Sequence, residues 1–206
     1  MKIEARPAPH RAERALRGVL LAVGATFLFA VADTLGKHLA MLYAVTLVLA
    51  ARYVINVALI AVIMGPRHGA ALWHASRPGL MILRGLCLAM ASISLLLALR
   101  VMPVGEAIAI IYLSPFAVML VAERLLGEKV SLIGWIGAVG GFAGVLLIMR
   151  PGSGLDPVGV ALTLFNAACA TAYVLLTRIL TRTEATMSML FYTALVGAVI
   201  FTVLAV

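Results

Sequence analysis

The stretch that decides the fold runs from Pro103 to Pro151 and reads PVGEAIAIIYLSPFAVMLVAERLLGEKVSLIGWIGAVGGFAGVLLIMRP. Two apolar runs, Val104–Ala122 and Val130–Met149, flank a short charged turn at Glu123–Lys129. Each run has about twenty residues, the length of a helix that crosses a bilayer core of roughly 30 Å. The turn is too short to hold a soluble domain. The stretch therefore predicts an antiparallel pair of transmembrane helices.

Two features distinguish the helices of this pair. The second helix carries four glycines spaced by three and four residues, which places bare backbone along one face, as close helix packing in lipid requires. These are Gly134, Gly137, Gly141 and Gly144. The first helix carries Pro115 near its middle, where a proline removes a backbone hydrogen bond and kinks the helix. In transporters such breaks usually lie beside a cavity.

The composition extends this interpretation to the whole chain. It is 64% hydrophobic and 12% charged, with a mean hydropathy of +1.14, whereas an ordinary soluble domain is about half apolar and one quarter charged. The net charge of +8 would suit nucleic acid. However, Lys and Arg sit at the ends of apolar runs, where they set membrane topology. We therefore predict an integral membrane protein in contact with the lipid bilayer and with no nucleic-acid partner.

Seven apolar runs follow a basic tail at residues 1–17. They are Gly18–Ala40, Ala44–Met64, Leu80–Met102, Val104–Ala122, Val130–Met149, Val158–Leu180 and Thr186–Val206. The positive start and the small residues near Ala32 also fit a cleavable signal peptide. The first run continues past Ala32, which favours a retained span.

The positive charges predict the orientation of these spans. With a cytoplasmic N-terminus, twelve basic residues fall on the inner side and three on the outer side, which predicts that orientation. The inner residues are Lys2, Arg6, Arg11, Arg14, Arg17, Arg67, Arg77, Arg84, Arg124, Lys129, Arg178 and Arg182, and the outer ones are Lys37, Arg100 and Arg150.

A faint internal repeat accompanies the hydropathy pattern. An offset of 141 residues (159 − 18) sets Gly18 against Gly159 and Lys37 against Arg178, and it matches spans one and two to spans six and seven. We expect a five-helix unit at residues 18–151, followed by the first two helices of a second unit at 152–206. An odd number of helices per unit makes the two copies inverted in the membrane. We accordingly expect a parent protein of about ten spans, of which this chain carries about seven.

Short motifs around the hairpin resemble those of EamA-type transporters in the drug/metabolite transporter superfamily. They are GEA at 105–107, LSPF at 113–116, GEKV at 127–130, GWIG at 134–137 and GVLLI at 144–148. Arg52 and Arg84 also fall where the family pattern has arginines. The resemblance implies an all-α bundle of ten helices in two inverted units. It also implies secondary transport of small metabolites, often export, and we expect a bacterial inner membrane as the location.

Charges inside the spans are the first candidates for function, because each costs about 2.5–3.5 kcal/mol on insertion scales. Asp33 and Arg52 lie about 10 and 12 Å from the outer ends of neighbouring spans, at 1.5 Å per residue. We predict that they form a buried ion pair, which would be either a structural clasp or a coupling site. Lys37, four residues after Asp33, is a rival partner.

Glu106 lies near the outer end of span four, six residues after Arg100. One interpretation is an ion pair between these two residues at the membrane interface. The other is a carboxylate at the mouth of a cavity that binds a proton or a cation. Burial would raise the pKa of such a carboxylate towards neutral pH, as proton coupling requires.

Further candidates lie in the middle of span four and in span six. Tyr112, Ser114 and Pro115 surround the expected kink, which would free a carbonyl one turn earlier for substrate. Ser114 could instead cap that gap. Asn166 and Tyr173 are seven residues apart, so they share a helix face and could line a pathway.

The sequence contains no arrangement typical of an enzyme or of a metal site. Cys87 and Cys169 fall within spans, the histidines are scattered, and no P-loop or Ser/His/Asp pattern is present. We expect no cofactor. Two interpretations remain: a secondary transporter of small polar metabolites, or a non-transporting membrane scaffold that forms a homodimer through the glycine face of helix five.

Overall fold

The computed structural model describes residues 9–69, 73–126, 131–149 and 156–206. Within these ranges the chain is helical and contains no strand, which confirms the predicted all-α polytopic bundle. The helices are α1 (Pro9–Leu42), α2 (Val45–His68), α3 (Pro78–Val101), α4 (Val104–Ile111), α5 (Ser114–Leu126), α6 (Leu132–Met149), α7 (Pro157–Leu180) and α8 (Thr186–Ala205). The start of the basic tail, the end of the charged turn and most of the loop before α7 were discussed from the sequence and lie outside the described residues.

Six segments of the described chain are long and apolar enough to cross a membrane. They are Leu16–Leu42, Val45–Pro66, Pro78–Val101, Val104–Arg124, Pro157–Leu180 and Thr186–Ala205. They are helical because a backbone in lipid must satisfy its hydrogen bonds within its own segment. The predicted fifth span corresponds to α6, whose apolar part, Leu132–Gly144, is shorter than the other six segments.

Predicted span four is divided into two helices, and the division lies before Pro115 rather than at it. α4 ends at Ile111, and the N–H of Leu113 donates to the carbonyl of Ile110 at 3.0 Å, which tightens the last turn. Pro115 is the second residue of α5, a position that suits a residue without an N–H. The proline therefore starts the second helix, and Tyr112 and Leu113 form the bend.

Charged residues continue α5 beyond the predicted end of the apolar run. The turn was expected to begin at Glu123, but α5 extends to Leu126. Glu, Arg and Leu are all good helix formers, so the charge marks the membrane interface without ending the helix.

α3 lies at the centre of the bundle. Its most extensive packing is against α7, and it also packs on α8, while α2 packs mainly on α8 and both α4 and α5 pack on α7. A buried apolar cluster that includes Leu49, Tyr53, Leu96 and Phe201 joins α2, α3 and α8. A second cluster of Met81, Leu180 and Met189 closes the opposite end of α3 against α7 and α8.

Close helix contacts are made by single glycines on α3 and α8. A Cβ atom added to Gly85 would lie 2.8 Å from the Cβ of Val196, and one added to Gly197 would collide with the ring of Tyr53. The sequence analysis instead placed close packing on α6. Within the described part of the chain, a Cβ added to Gly137, Gly141 or Gly144 would meet nothing within 4 Å.

Gly134, the first of the four glycines on α6, is also exposed. The predicted contact between the α6 glycine face and another helix is therefore not made within the described chain. Contact between that face and a second copy of the chain stays a prediction.

Candidate functional site

Arg84 is the most unusual side chain in the bundle. It lies six residues after the first residue of α3 and is 4% exposed. Its Nε donates to Thr177 Oγ1 at 2.7 Å, and its Nη2 donates to the hydroxyl of Tyr173 at 2.7 Å. Its Nη1 donates to the carbonyl of Met189 at 3.0 Å and to Thr193 Oγ1. One guanidinium thus ties α3 to both α7 and α8.

The helical period explains why this site assembles. Tyr173 and Thr177 are four residues apart on α7, and Met189 and Thr193 are four apart on α8, so each helix presents two acceptors on one face. The planar fork of Arg84 offers donors to both faces at once.

The partners of Arg84 are three hydroxyls and one carbonyl, all of them neutral. Its guanidinium carbon also lies 4.4 Å from the centroid of the Tyr173 ring, where the ring quadrupole favours a cation. The positive charge is therefore stabilised by dipoles and an aromatic face. A buried charge of this kind costs free energy that a hydrophobic residue would not, which points to a role beyond packing.

A line of polar side chains extends from this cluster along α7. Asn166 is buried, and its Nδ2 donates to the carbonyl of Ala91 on α3 at 2.7 Å. Ala91 is seven residues after Arg84 on α3, and Asn166 is seven residues before Tyr173 on α7, so both contacts belong to one antiparallel interface. The sequence analysis placed Asn166 and Tyr173 on one face, and the structure brings both against α3.

Ser114 belongs to the same region. Its Oγ lies 3.1 Å from the Oγ1 of Thr171, and both residues are buried. Thr171 donates its proton to the carbonyl of Ala167 at 2.7 Å, so Ser114 is the donor in the contact between them. The serine at the start of α5 thus joins α5 to α7.

The other predicted residues of span four lie nearer the surface of the chain. Tyr112 is 44% exposed and Pro115 is exposed, both beside the bend between α4 and α5. Glu106 is half-buried in the first turn of α4. Of the predicted residues of span four, Ser114 is thus the one that makes a side-chain hydrogen bond to α7, the helix that carries Asn166 and Tyr173.

Asp33 and Arg52 lie apart from this group, on α1 and α2. The Asp33 carboxylate is half-buried and feels the charge of Arg52, whose side chain is exposed. The two groups nevertheless do not form an ion pair, so the predicted direct pair is wrong for this structure. Lys37, the rival partner of Asp33, instead donates from Nζ to the carbonyl of Met102, just after α3, at 3.1 Å.

A further tie holds the start of α3 to the turn between α7 and α8. The two carboxylate oxygens of Glu184 accept from the backbone N–H groups of Ser76 and Arg77, at 3.1 and 2.7 Å. Unpaired N–H groups at a helix start favour an acidic partner. Beside this contact, the hydroxyl of Tyr192 donates to the carbonyl of Trp73 at 3.0 Å. The residues just before α3 are thus anchored by the turn between α7 and α8 and by α8 itself.

Sequence reasoning counted Arg84 among the topology charges and passed over Thr177, Thr193 and Glu184. A signal for Arg84 was present, because a charge four residues inside the predicted apolar span Leu80–Met102 needs a partner. Its partners could not be chosen from the sequence, since threonines occur throughout the spans. The described residues contain no group of three or more His, Cys, Asp or Glu side chains that could hold a metal ion.

Comparison with known protein families identifies the family of this chain. The EamA-like transporter family matches residues 16–150, which is more than half of the 206 residues. The chain belongs to this family. The resemblance drawn from the hairpin motifs is thereby confirmed, and membership together with the apolar helices makes the chain an integral membrane protein of a transporter family.

Several transporters are similar to this chain. A riboflavin transporter of Rhizobium johnstonii is 36% identical over 88 residues, which cover 42% of this chain and 28% of the relative. A riboflavin transporter of Brucella anthropi is 34% identical over 119 residues, covering 57% and 42%. An S-adenosylmethionine uptake transporter of Rickettsia felis is 29% identical over 134 residues, covering 65% and 45%. The chain spans less than half the length of these relatives, and no solved structure matches it.

The EamA-like match also divides the Arg84 cluster. Arg84 lies within the matched residues, whereas Tyr173, Thr177 and Thr193 lie beyond them. The cluster therefore joins the EamA-like segment to the helices that follow it.

Proposed function

We propose that this chain is part of a secondary transporter that moves a small polar metabolite across a membrane by alternating access. The observation that carries the proposal is the buried Arg84 of an EamA-like segment, held by neutral groups of α7 and α8. A charge placed between two helix groups at this cost favours a role in movement or in binding.

The substrate class is inferred from the named relatives. Riboflavin and S-adenosylmethionine each carry a nitrogen heterocycle joined to hydroxyl-bearing carbons, and we propose a substrate of that kind. The resemblance led us to expect export, whereas the name of the Rickettsia relative favours uptake. We propose uptake, in a bacterial inner membrane with the N-terminus in the cytoplasm.

The mechanism follows from the interface between α3 and α7. The proposed pathway lies along α7, where Ser114, Asn166 and Tyr173 offer polar groups to adjacent helices. Inverted units in transporters rock against each other around a fixed site. Contacts of Arg84 with α7 and α8 would change as the units move, so Arg84 would bias the two states.

Flux measurements in proteoliposomes test this proposal. The purified chain is reconstituted, and uptake and release of radiolabelled riboflavin and S-adenosylmethionine are followed separately. Saturable flux of either compound, competed by the unlabelled form, is the expected result. Equal leakage in liposomes with and without the protein would refute transport by this chain.

Proton coupling through Glu106 is a finer part of the proposal. Glu106→Gln removes the titratable group without changing its size, so flux driven by a pH gradient should fall while exchange flux persists. Glu123→Gln, at an exposed position on α5, is the matched control and should leave both fluxes unchanged. Equal gradient-driven flux in the wild type and Glu106→Gln would exclude this role.

A membrane scaffold that forms homodimers through α6 is the alternative function. It is favoured by the open space around Gly137, Gly141 and Gly144. Small residues let two helix backbones approach closely in lipid. If this alternative holds, Gly141→Leu should abolish chemical cross-linking between copies. Cross-linking that persists in that variant would exclude the glycine face as the contact.

A further inference from the structure

A groove of about 460 Å³ lies between α1 and α2. Its lining is almost entirely apolar, and Leu96 of α3 contributes to it. The residues are Ala32, Leu35, Gly36, Leu39, Tyr43, Leu47, Val48, Leu49, Ala51, Arg52, Ile55 and Leu96. Arg52 is the charged member of this set. The groove thus combines an apolar wall with one cation.

The cation of Arg52 has no close partner within the described chain. Its side chain is exposed, and the hydrogen bonds found among the described residues include none of its nitrogens. The charge of Asp33 interacts with that of Arg52 without a hydrogen bond between them, and Lys37 is bound to the carbonyl of Met102. A charge within a membrane span is costly unless it finds a polar partner. Arg52 therefore requires an anionic or polar group from outside these residues.

The position of Arg52 along α2 places that partner at the membrane interface. α2 has 24 residues and is about 36 Å long, roughly 6 Å more than the hydrocarbon core. Arg52 is seven residues after Val45, so its Cα lies about 8 Å inside the hydrocarbon edge if the helix is centred. An arginine at this depth extends its side chain towards the headgroups. The guanidinium can then meet a headgroup while the groove beside it stays in the apolar layer.

We propose that this groove binds one anionic phospholipid, with an acyl chain along its apolar wall and the phosphate on Arg52. Guanidinium and phosphate form paired, charge-assisted hydrogen bonds. Charge complementarity thus selects a lipid over an apolar helix, which would leave Arg52 without a partner. The site is separate from the polar line on α7.

Lipid selectivity of the purified chain tests the proposal without any transport measurement. Binding of phosphatidylglycerol and phosphatidylcholine is compared by native mass spectrometry of the protein released from detergent micelles. We expect phosphatidylglycerol to bind about fivefold more tightly, the effect of one basic residue near the surface. Arg52→Gln should abolish this preference, and Arg52→Lys should retain most of it.

Arg100→Gln is the matched control for charge. Arg100 is exposed near the end of α3 and does not line the groove, so this variant should keep the preference. Asp33→Asn should increase the preference, because it removes a negative charge that opposes the phosphate. An equal loss of preference in Arg52→Gln and Arg100→Gln would overturn the proposal.

Leu35→Trp tests the apolar wall. The larger side chain fills the groove and should lower the binding of both lipids at least threefold, whereas Leu28→Trp, exposed on α1 outside the lining, should not. Circular dichroism in micelles confirms that each variant folds. Unchanged lipid binding in folded Leu35→Trp would show that lipid lies elsewhere and would overturn the proposal. Since no flux is measured, this outcome is independent of the proposed transport function.

Discussion

Replacement of Arg84 by Met tests how the buried cation is held. The hydroxyls of Thr177 and Thr193 would keep their own bonds, which they donate to the carbonyls of Tyr173 and Met189 at 2.7 and 2.8 Å. The carbonyl of Met189 would keep Thr193 as a donor. The hydroxyl of Tyr173, which meets Arg84 Nη2 at 2.7 Å, is therefore the group that loses most.

The expected loss of stability follows from the hydrogen bonds that are kept and lost. A fully buried hydroxyl left without its partner costs about 1–3 kcal/mol, which is an upper range for the part-buried hydroxyl of Tyr173. Breaking a buried ion pair would cost about 3–5 kcal/mol, because a second charge would remain uncompensated. Since the partners of Arg84 are neutral, and since Met removes the cost of burying a charge, we expect Arg84→Met to lower the free energy of unfolding by no more than the smaller amount.

Unfolding in mixed micelles provides the measurement, with Arg84→Met, Tyr173→Phe and the double variant compared with the wild type. Tyr173→Phe removes the hydroxyl that Arg84→Met leaves unpaired, so the double variant should be no less stable than Arg84→Met alone. Arg100→Met, at an exposed position, is the control and should change stability by less than about 0.5 kcal/mol.

Two results would refute this reasoning. One is a loss above about 5 kcal/mol for Arg84→Met, since that would require a charged partner. The other is strict additivity of the two substitutions, since residues that share a bond should be coupled.

Three further substitutions probe the packing and the ties between helices. Gly197→Ala should destabilise the bundle by about 1–3 kcal/mol, because the added methyl group collides with the ring of Tyr53. The control Gly140→Ala, on the open face of α6, should be neutral or mildly stabilising. Equal melting temperatures for the two variants would contradict the packing described here. Glu184→Gln should lower the free energy of unfolding by about 0.5–2 kcal/mol, since it weakens the cap on the start of α3. Faster amide hydrogen exchange at the start of α3 would report this loss. Unchanged exchange would show that Glu184 does not hold that end of the helix. Asn166→Leu should cost about 0.6–1.7 kcal/mol, the range for hydrogen bonds between membrane helices, measured by unfolding in micelles; a stabilised variant would show that this bond has no net value.

Much of the fold could be predicted from the sequence because the bilayer restricts the choices. An apolar run of about twenty residues has to be a helix in lipid, so the runs Ala44–Met64 and Leu80–Met102 predict α2 and α3 within a few residues. Pro115 likewise predicts a division of span four, although the bend forms at Tyr112 and Leu113. Helix partners were not predictable, because every span has a similar apolar surface.

Glycine spacing illustrates the limit. The four glycines of α6 form a regular stripe that resembles a packing face, yet a side chain added at Gly141 would meet nothing in the described chain. Gly85 and Gly197 belong to no such stripe, yet they make close contacts. The spacing of glycines indicates where another helix backbone could approach. Which helix packs there depends on the large side chains that face the glycine, here Val196 and Tyr53.

The candidate site was predictable in part for the same reason. Asn166 and Tyr173 share a helix face, and that relation is fixed by the helical period. The contact of Tyr173 with Arg84 depends on how α3 and α7 are aligned, which no local pattern contains. Asp33 and Arg52 were predicted to pair because they lie at similar depth on neighbouring helices. Similar depth did not bring their charged groups together.

The contacts of α3 also bear on the predicted five-helix unit at residues 18–151. The most extensive helix packing joins α3 to α7 and α2 to α8, whereas contacts among α1, α2 and α3 are few. Arg84 depends on α7 and α8, and the N-terminal cap of α3 depends on the turn between them. Because lipid removes the hydrophobic drive for helices to associate, such close and polar contacts hold a membrane bundle together. Within the described residues α2 and α3 have their main neighbours in α7 and α8. The proposed rocking of the two predicted units would therefore have to act through that shared interface.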